Sequence, residues 1–364
     1  MAPRAGSGCI FSIHVRYNFM RMGSFKSRES SFFPLFHIVA LSVCCFAASC
    51  DRSGTSAEGS KKLEELRLGY FANISHAQAM LGVHTHEFEK AIAPVRLTHR
   101  VFNAGPLLIE ALFAGELDIG YVGPGPVINA FVKSRGEGIR VIAAGASNGV
   151  VIVARPGSGI QKLSDLKGRR LATPQLGNTQ DISARHYLLR ELGQADVDNV
   201  IPIPNAEQSG LMVRGEIDAA WVPEPWGARL VKEAGAKIIA EEKDLWPEKE
   251  FSLAVIVTTP EFLKQHPQAV RQFLAAHIEM TRRLNAEPEA CAAMFIEAMK
   301  AESGKSMSVE LLKAAMSRTK YTNWPLEGTF RNYATWLRDV GFSRQNVDVK
   351  NLFETGILNS LVKE

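Results

Sequence analysis

Two segments of this chain, 100 residues apart, repeat one pattern in the same order. Residues 111–122 read ALFAGELDIGYV, and residues 211–222 read LMVRGEIDAAWV. Each begins as a helix end, continues through Gly-Glu-Leu/Ile-Asp, and closes on a short apolar stretch with an aromatic residue and valine. Glycine suits the end of any helix that leads into a strand, but agreement over the whole pattern favours two related units. The repeat therefore predicts two similar sheets that face each other.

Strand and helix signals alternate around each copy of the repeat. Such alternation predicts an α/β fold in which each lobe is a mostly parallel sheet flanked by helices. The predicted strands are 66–71, 95–102, 119–122 and 141–145 in the first unit, and 170–173, 200–203, 219–222 and 237–240 in the second. The predicted helices are 77–90, 106–114, 126–135, 179–192, 207–214 and 225–234. After a strand at 252–257 the pattern is helical to the end of the chain, with prolines suited to first helical turns.

The chain divides into segments with different roles. Residues 63–150 are predicted to form the first part of lobe 1, residues 151–251 form lobe 2, and residues 252–364 return to lobe 1 and add C-terminal helices. The two crossings between lobes are assigned to the apolar segments 149–154 and 252–257. Two crossings make a hinge that can open and close.

Residues 1–49 have the pattern of a secretory signal peptide. A basic stretch precedes an apolar run over 32–48, which is shorter than the ~20 residues of a membrane-spanning helix. The small residues Ala47, Ala48 and Ser49 then precede Cys50. This pattern resembles a bacterial lipobox, so Cys50 is predicted to be lipidated, and residues 50–62 to form a flexible tether. The alternative is a freely secreted protein cut near Ser49.

The net charge of +4 is confined to the leader. Five of the 42 basic residues and one of the 38 acidic residues precede residue 50, so the remainder has no net charge. A nucleic-acid partner therefore has no electrostatic support. Of the five cysteines only Cys291 follows Cys50, in an apolar helical context typical of a core residue. The sequence predicts no disulfide, no metal site and no cofactor.

Ligands of open α/β sheets bind beyond the carboxyl ends of the strands. Helix N-termini at these ends favour anions, because their backbone N–H groups are free and the helix dipole is positive there. Three such places supply candidate ligand-binding residues, although capping of the helix is the alternative role at each. The candidates are His76 and Gln78 after the first strand, Gly123 and Gly125 at the corner after the third, and Asn178, Thr179 and Gln180 before the helix predicted at 179–192.

The corner after the second copy of the repeat, Trp221-Val-Pro-Glu224-Pro-Trp226, adds two candidates of another kind. Trp221 is predicted to form a wall of the pocket. Glu224 would repel a bare anion but would pair with an ammonium group, so its presence would suit a zwitterion. The equal alternative is that Glu224 stabilises the first turn of the following helix, which the helix dipole favours.

Four segments together resemble one protein family. They are LRLGYFANISHAQAM, ALFAGELDIGYVGPGP, ATPQLGNTQDISAR and DAAWVPEPW. In this order they resemble the substrate-binding proteins of sulfonate, taurine and nitrate importers. The resemblance implies a two-lobed, type II periplasmic binding fold that closes on a small anionic or zwitterionic solute. An aliphatic sulfonate or taurine-like compound is the expected solute.

The same resemblance implies the setting in which the protein works. It would lie on the periplasmic or extracytoplasmic face as a monomer, held at the membrane only through lipidated Cys50, and would deliver its solute to an ABC transporter permease. It would not be an enzyme: the sequence has no Ser-His-Asp order, no paired-carboxylate motif, no phosphate-binding loop and no zinc spacing. Two alternatives stay open. One is a thiamin-pyrimidine binding protein or biosynthetic enzyme of the same superfamily, and the other is a sensor module for a membrane receptor.

Overall fold

The computed structural model describes residues 62–304, 306–344 and 347–363. The predicted signal peptide, Cys50 and the tether up to residue 61 lie outside these residues. Within the described part, no helix is both long enough and apolar enough to cross a membrane.

Eleven strands of the described residues form two separate sheets, one of six strands and one of five. The first sheet has the order β2-β1-β3-β10-β4-β11, and the second has the order β7-β6-β8-β5-β9. The strands are β1 (Glu65–Phe71), β2 (Arg96–Phe102), β3 (Ile119–Val122), β4 (Arg140–Asn148), β5 (Val150–Ala154), β6 (Leu171–Thr173), β7 (Val200–Pro202), β8 (Ala219–Pro223), β9 (Lys237–Glu241), β10 (Ser252–Thr258) and β11 (Thr319–Tyr321).

Both sheets are mixed, whereas the sequence predicts mostly parallel ones. In the first sheet β1 pairs in parallel with β2 and β3, but β10 runs antiparallel between β3 and β4. In the second sheet β6 pairs in parallel with β7 and β8, but β5 runs antiparallel between β8 and β9. Strand β5 is the first strand of the second sheet after the chain leaves the first, and β10 is the first strand after the chain comes back. Each of them runs antiparallel to its neighbours in the sheet that it joins. The two sheets therefore share one strand order.

The 100-residue repeat has a structural counterpart in two arginine–aspartate pairs. Asp118, the aspartate of the first copy, accepts hydrogen bonds from the backbone N–H, Nε and Nη2 of Arg67. Asp218, its counterpart, accepts the same three bonds from Arg170. These donors also hold the pKa of the Asp218 carboxyl well below its ordinary value. The first pair thus connects the start of β1 to the start of β3, and the second connects the start of β6 to the start of β8.

Thirteen α-helices of the described residues cover the sheets. They are α1 (Ala77–His84), α2 (Glu87–Ile92), α3 (Gly105–Phe113), α4 (Pro124–Lys133), α5 (Thr179–His186), α6 (Asn205–Val213), α7 (Trp226–Ala234), α8 (Pro260–Gln265), α9 (Pro267–Ala286), α10 (Pro288–Ser303), α11 (Val309–Met316), α12 (Glu327–Asp339) and α13 (Gly356–Lys363). Helix α9 packs on α1 and α2, and α12 packs on both α4 and α5. The predicted proline starts of α8, α9 and α10 are confirmed.

Three local features differ from the sequence prediction. The helix predicted over 77–90 is interrupted at His86, which has a left-handed φ of 58°. The helix predicted over 179–192 changes to a π-helical turn at Tyr187–Glu191. Strand β11 was not predicted, because its three residues carry no apolar run and it exists only by pairing with the edge of β4. Cys291 is fully buried, as predicted.

Candidate functional site

A small cavity lies where loops from both sheets meet. Parallel strands of the first sheet end there at Phe71, Phe102 and Val122, and those of the second at Thr173, Pro202 and Pro223. The cavity holds about 20 Å³ of open space, which is room for about one water molecule. Its lining consists of Phe71, Asn73, Ser75, His76, Asn103, Gly123, Asn178, Thr179, Gln180, Asn205, Pro223 and Leu253.

His76 presents an uncharged imidazole to this cavity. Its Nδ1 accepts the backbone N–H of Phe71 at 3.0 Å, and its ring stacks on the Phe71 ring with centroids 4.5 Å apart. Burial lowers the pKa of His76 to about 3, so the ring is neutral at physiological pH. Because Nδ1 is an acceptor, the single proton lies on Nε2. His76 thus offers one neutral N–H donor that has no protein acceptor among the described residues.

The N-terminus of α5 supplies the second wall. Asn178 Oδ1 accepts the backbone N–H of Thr179 at 2.8 Å and caps the helix, so its amide group remains a donor. Gln180 is 3% exposed and lines the cavity. Since the first N–H groups of a helix have no partner inside the helix, this terminus directs donors and the positive end of the helix dipole at the cavity.

The N-terminus of α4, on the first sheet, meets α5 directly. The backbone N–H of Gly125 donates to Thr179 Oγ1 at 3.3 Å. A Cβ on Gly123 would overlap Thr179 Oγ1, and a Cβ on Gly125 would lie 2.7 Å from Ile182 Cδ1. Glycine at both positions therefore permits the two sheets to approach this closely. Gly123 also lines the cavity.

Three asparagines of the site were not among the predicted binding residues. Asn73 accepts the indole N–H of Trp226 at 2.7 Å and so joins the first sheet's loop to α7 of the second. Asn103 and Asn205 follow β2 and β7, the strands that occupy the same position in the two sheets. Asn205 Oδ1 is buried without a hydrogen-bond partner. An asparagine directly after a predicted parallel strand is the signal that would have identified these two.

The lining of the cavity includes no aspartate, glutamate, lysine or arginine. Its polar groups are backbone N–H groups, amides, hydroxyls and one neutral imidazole. Such a site stabilises negative charge through dipoles and hydrogen bonds rather than through a counter-ion. It contains no carboxylate that would pair with a positive charge.

Gln78 lies away from the cavity. Its Nε2 donates to the carbonyl oxygen of Gly145 at 2.7 Å and to Thr281 Oγ1 at 3.1 Å, between β4 and α9. The sequence predicts a helix whose first turn faces the ligand. In the structure a single 3-10 turn, Ile74–His76, precedes α1, so His76 faces the cavity and Gln78 faces the interior.

Trp221 also lies outside this cavity. It is fully buried, and its indole N–H donates to Glu242 Oε2 at 2.6 Å. Side chains alternate between the two faces of a strand, so Trp221 shares a face of β8 with Pro223 but lies two residues before the carboxyl end of the strand, where the cavity is. Trp221 lines a second, larger cavity instead.

Glu224 has the structural role that the sequence left open. Its Oε2 accepts the backbone N–H of Ala228 in the first turn of α7 at 2.9 Å, and its Oε1 pairs with Arg318 Nη1 at 2.9 Å. The side chain is fully buried and does not line the cavity between the sheets. It is therefore not placed to meet an ammonium group there.

No group of three or more histidine, cysteine or acidic residues with metal-binding geometry occurs among the described residues.

A sequence profile of the NMT1-like family matches residues 59–298, more than half of the 364-residue chain. Among known proteins, a putative binding protein of Brucella abortus is 28% identical over 250 residues, which are 65% of this chain and 75% of that protein. The taurine-binding periplasmic protein of Escherichia coli is 27% identical over 195 residues, 52% of this chain and 58% of that protein.

A solved structure shows the same fold. The alkanesulfonate-binding protein SsuA from Xanthomonas axonopodis pv. citri, bound to MOPS, superposes with a TM-score of 0.67 at 20% sequence identity. The alignment covers 81% of this chain and 100% of that protein. Over this extent the two chains share one architecture.

Proposed function

This chain belongs to the NMT1-like family and has the periplasmic binding protein fold, and from this premise we propose that it captures a small oxyanion outside the cytoplasm for an ABC importer. The single observation that carries the proposal is the lining of the cavity between the sheets. It combines the N-terminus of α5 and several neutral donors with no charged side chain.

An oxyanion is the ligand class that this lining fits best. Sulfonate and nitrate oxygens are acceptors only, and the groups free to meet them are donors from His76, Asn178 and Gln180 together with backbone N–H groups. Buried donors left without acceptors are costly, by about 1–3 kcal/mol each, so a ligand rich in acceptors gains most. The relatives named for taurine and alkanesulfonate agree with this class.

Among oxyanions we propose an alkanesulfonate rather than an aminosulfonate. Taurine carries an ammonium group that would need a carboxylate or several acceptors once it is buried, and the lining offers it the amide oxygen of Asn205 but no carboxylate. The two acids that adjoin lining residues in sequence are already engaged, Glu224 by Arg318 and α7 and Asp181 by Arg185. An uncharged alkyl group would instead contact Phe71, Pro223 and Leu253, the apolar part of the lining.

The cavity is too small for such a ligand as it stands, so capture requires motion. With room for about one water molecule, the site has to open before a sulfonate enters. We assign the motion to the two chain crossings, Asn148 to Val150 and the segment before Ser252, which connect the sheets. Binding energy would then hold the two lobes together around the ligand and present the closed form to a permease.

We propose further that the protein is exported and anchored through Cys50. The basic and apolar stretches of the leader, the small residues before Cys50 and the periplasmic setting of the taurine-binding relative support this. No catalytic arrangement is needed for the proposed role, which is reversible capture.

The decisive experiment is thermal unfolding of residues 62–364 against a panel of solutes. The panel is methanesulfonate, ethanesulfonate, taurine, nitrate and bicarbonate, with phosphate as control. A ligand at one hundred times its dissociation constant adds about 2.7 kcal/mol to the free energy of unfolding, so the expected result is a raised Tm with the alkanesulfonates. A rise with taurine alone would overturn the alkanesulfonate assignment, and no rise with any member would overturn oxyanion capture.

A further inference from the structure

A second cavity, of about 200 Å³, lies beside the C-terminal half of α5. It shares no lining residue with the cavity between the sheets. Its walls come from α5 and the π-helical turn after it, from β8, from the 3-10 turn Glu242–Leu245, and from α12. Five of its nine lining residues carry aromatic rings: His186, Tyr187, Trp221, Trp246 and Trp336.

Glu242 lies at the inner end of this cavity and is 1% exposed. Its carboxylate accepts hydrogen bonds from Trp221 Nε1 at 2.6 Å, from Ser183 Oγ at 2.7 Å and from the Tyr333 hydroxyl at 3.3 Å. All three donors are uncharged. Burial raises the pKa of Glu242, although these hydrogen bonds act in the opposite direction.

Glu242 differs in one respect from the other buried acids of the described residues. Asp118, Asp181, Asp218 and Glu224 each form an ion pair with an arginine. Glu242 forms none with any described lysine, arginine or histidine, although a buried carboxylate without a cation is costly. The open space beside it is large enough for the missing positive charge to come from outside.

The aromatic wall leaves part of its ring surface for such a charge. One face of Trp336 is covered by the His186 ring, with centroids 4.5 Å apart, and one face of Trp246 by the Phe251 ring at 5.2 Å, so a cation would meet the other face or the edge of each indole. The rings of Trp246 and Trp336 lie 4.8 Å apart at 45°, and those of Tyr187 and Trp221 lie 5.9 Å apart at 57°. Tryptophan faces attract alkylammonium groups through the ring quadrupole.

We propose that this cavity is a second binding site, for a small organic ammonium ion whose charge meets Glu242 and whose alkyl groups meet the tryptophan faces. A metal ion fits the site poorly, because the described residues provide no group of three metal ligands. An anion is disfavoured by Glu242 and by Glu191 at the mouth. The two cavities thus select opposite charges.

The test is a tryptophan-fluorescence titration of residues 62–364 with choline, tetramethylammonium and 3,3-dimethyl-1-butanol, the uncharged analogue of choline. We expect saturable binding of the two ammonium ions and at least about tenfold weaker binding of the neutral alcohol, a difference of about 1.4 kcal/mol. Sodium chloride at matched concentration controls for ionic strength.

Two variants locate the binding. Glu242→Gln keeps an acceptor for the Trp221 indole and removes the negative charge. Trp336→Leu removes one aromatic ring of the lining at a half-buried position of α12. Each variant is expected to weaken ammonium binding at least about tenfold. Asn178→Asp, in the other cavity, is the matched control and should leave ammonium affinity unchanged.

Equal affinity for choline and the neutral alcohol, or undiminished choline binding by Trp336→Leu, would overturn the proposal even where Glu242→Gln does not fold. The absence of a saturable signal with either ammonium ion up to about 50 mM, well beyond ordinary ligand affinities, would overturn it as well. Each result is independent of the oxyanion panel.

Discussion

At the scale of single residues, the absence of a side chain at Gly123 allows the two sheets to approach each other closely. Its φ of −79° and ψ of 158° are open to any L-residue, so alanine causes no backbone strain there. The added Cβ would overlap Thr179 Oγ1 across the cleft. The overlap exists only when the sheets are close, so it penalises the closed form alone.

We expect Gly123→Ala to fold normally and to bind its solute about 5- to 150-fold more weakly, since overpacking costs about 1–3 kcal/mol. Isothermal titration calorimetry measures the change. Gly210→Ala on α6 is the matched control, because no atom lies closer than 3.3 Å to its added Cβ. Unaltered affinity of Gly123→Ala would mean that closure does not bring these residues together.

The Glu224–Arg318 pair gives a second prediction, which depends on unequal burial. The Glu224 side chain is fully buried, and that of Arg318 is 23% exposed. Arg318→Met leaves a buried carboxylate without its partner and should cost about 3–5 kcal/mol. Glu224→Gln leaves an arginine that water can reach and keeps an acceptor for Ala228 N–H, so it should cost only about 1–3 kcal/mol.

Urea unfolding of the two variants tests this order. Affinity for alkanesulfonates should stay within about threefold of the wild type in Glu224→Gln, a change of under 1 kcal/mol. A selective loss of aminosulfonate binding without a loss of stability would instead return Glu224 to the ligand site.

Five predicted binding residues that were placed from strand ends line the cavity: His76, Gly123, Asn178, Thr179 and Gln180. Their contact with a solute stays a prediction. Gln78 and Trp221 lie elsewhere, because Gln78 is on another face of its helix than His76 and Trp221 lies two residues before the carboxyl end of its strand. The direction of Gln78 depends on where a turn begins, which a single sequence does not specify.

At the scale of elements, the N-terminus of α5 combines a cap with a ligand contact, and a pair of substitutions separates them. Asn178→Asp keeps a good capping oxygen but replaces the free amide donor by a negative charge. We expect Asn178→Asp to retain the stability of the wild type and to lose at least about tenfold in oxyanion affinity. Asn178→Ala should lose affinity and about 0.5–2 kcal/mol of stability.

Ser308→Ala is the matched control for this experiment. Ser308 Oγ caps α11 by accepting the Leu311 N–H at 3.3 Å, far along the chain from the cavity. Its loss should lower stability by a similar amount and leave affinity unchanged. If Asn178→Asp binds oxyanions with the affinity of the wild type, then Asn178 caps α5 and does not contact the ligand.

The order of strands and helices was predictable because local patterns specify it. Strand β3 lies where it was predicted, and β6, β7, β8 and β9 lie within one residue of their predicted bounds. The antiparallel entry of β5 and β10 was not predictable in the same way. It depends on pairing between residues that are far apart in sequence, such as Val255 with Val122, and no local signal encodes that direction.

At the scale of the whole molecule, two buried imidazoles link stability to pH. Burial lowers the pKa of His76 to about 3 and that of His277 to about 4. Both bind a proton near pH 6.5 once the chain unfolds. The unfolded state therefore holds more protons below pH 6.5, so stability is full above that pH and is lost as the pH falls toward 4.

We expect the free energy of unfolding to drop by about 1.4 kcal/mol per pH unit for each imidazole between pH 6.5 and 5. His186, whose pKa is also lowered by burial, acts in the same direction. Urea unfolding at intervals across this range measures the slope, and His277→Gln should reduce it by about 1.4 kcal/mol per unit. A flat profile would show that the imidazoles become protonated without unfolding.

The proposed anchor is also a property of the whole chain. Cys50→Ser removes the thiol that would carry the lipid, so we expect the full-length protein to move from the membrane fraction to the soluble fraction while the signal peptide is still removed. Fractionation followed by intact-mass measurement tests both points. Continued membrane association of Cys50→Ser would show that Cys50 is not the anchor.

The position of β10 in the first sheet has a consequence for the order in which the chain matures. Strand β10 lies between β3 and β4 and pairs with both. Until residue 258 has been synthesised, β3 and β4 have no partner on their facing edges, although both are complete by residue 148. The strands of the second sheet are contiguous in the chain, from Val150 to Glu241, and pair with no strand that follows among the described residues. We therefore expect the strands of the second sheet to pair first during synthesis. The first sheet should complete its strand pairing only after β10 has left the ribosome.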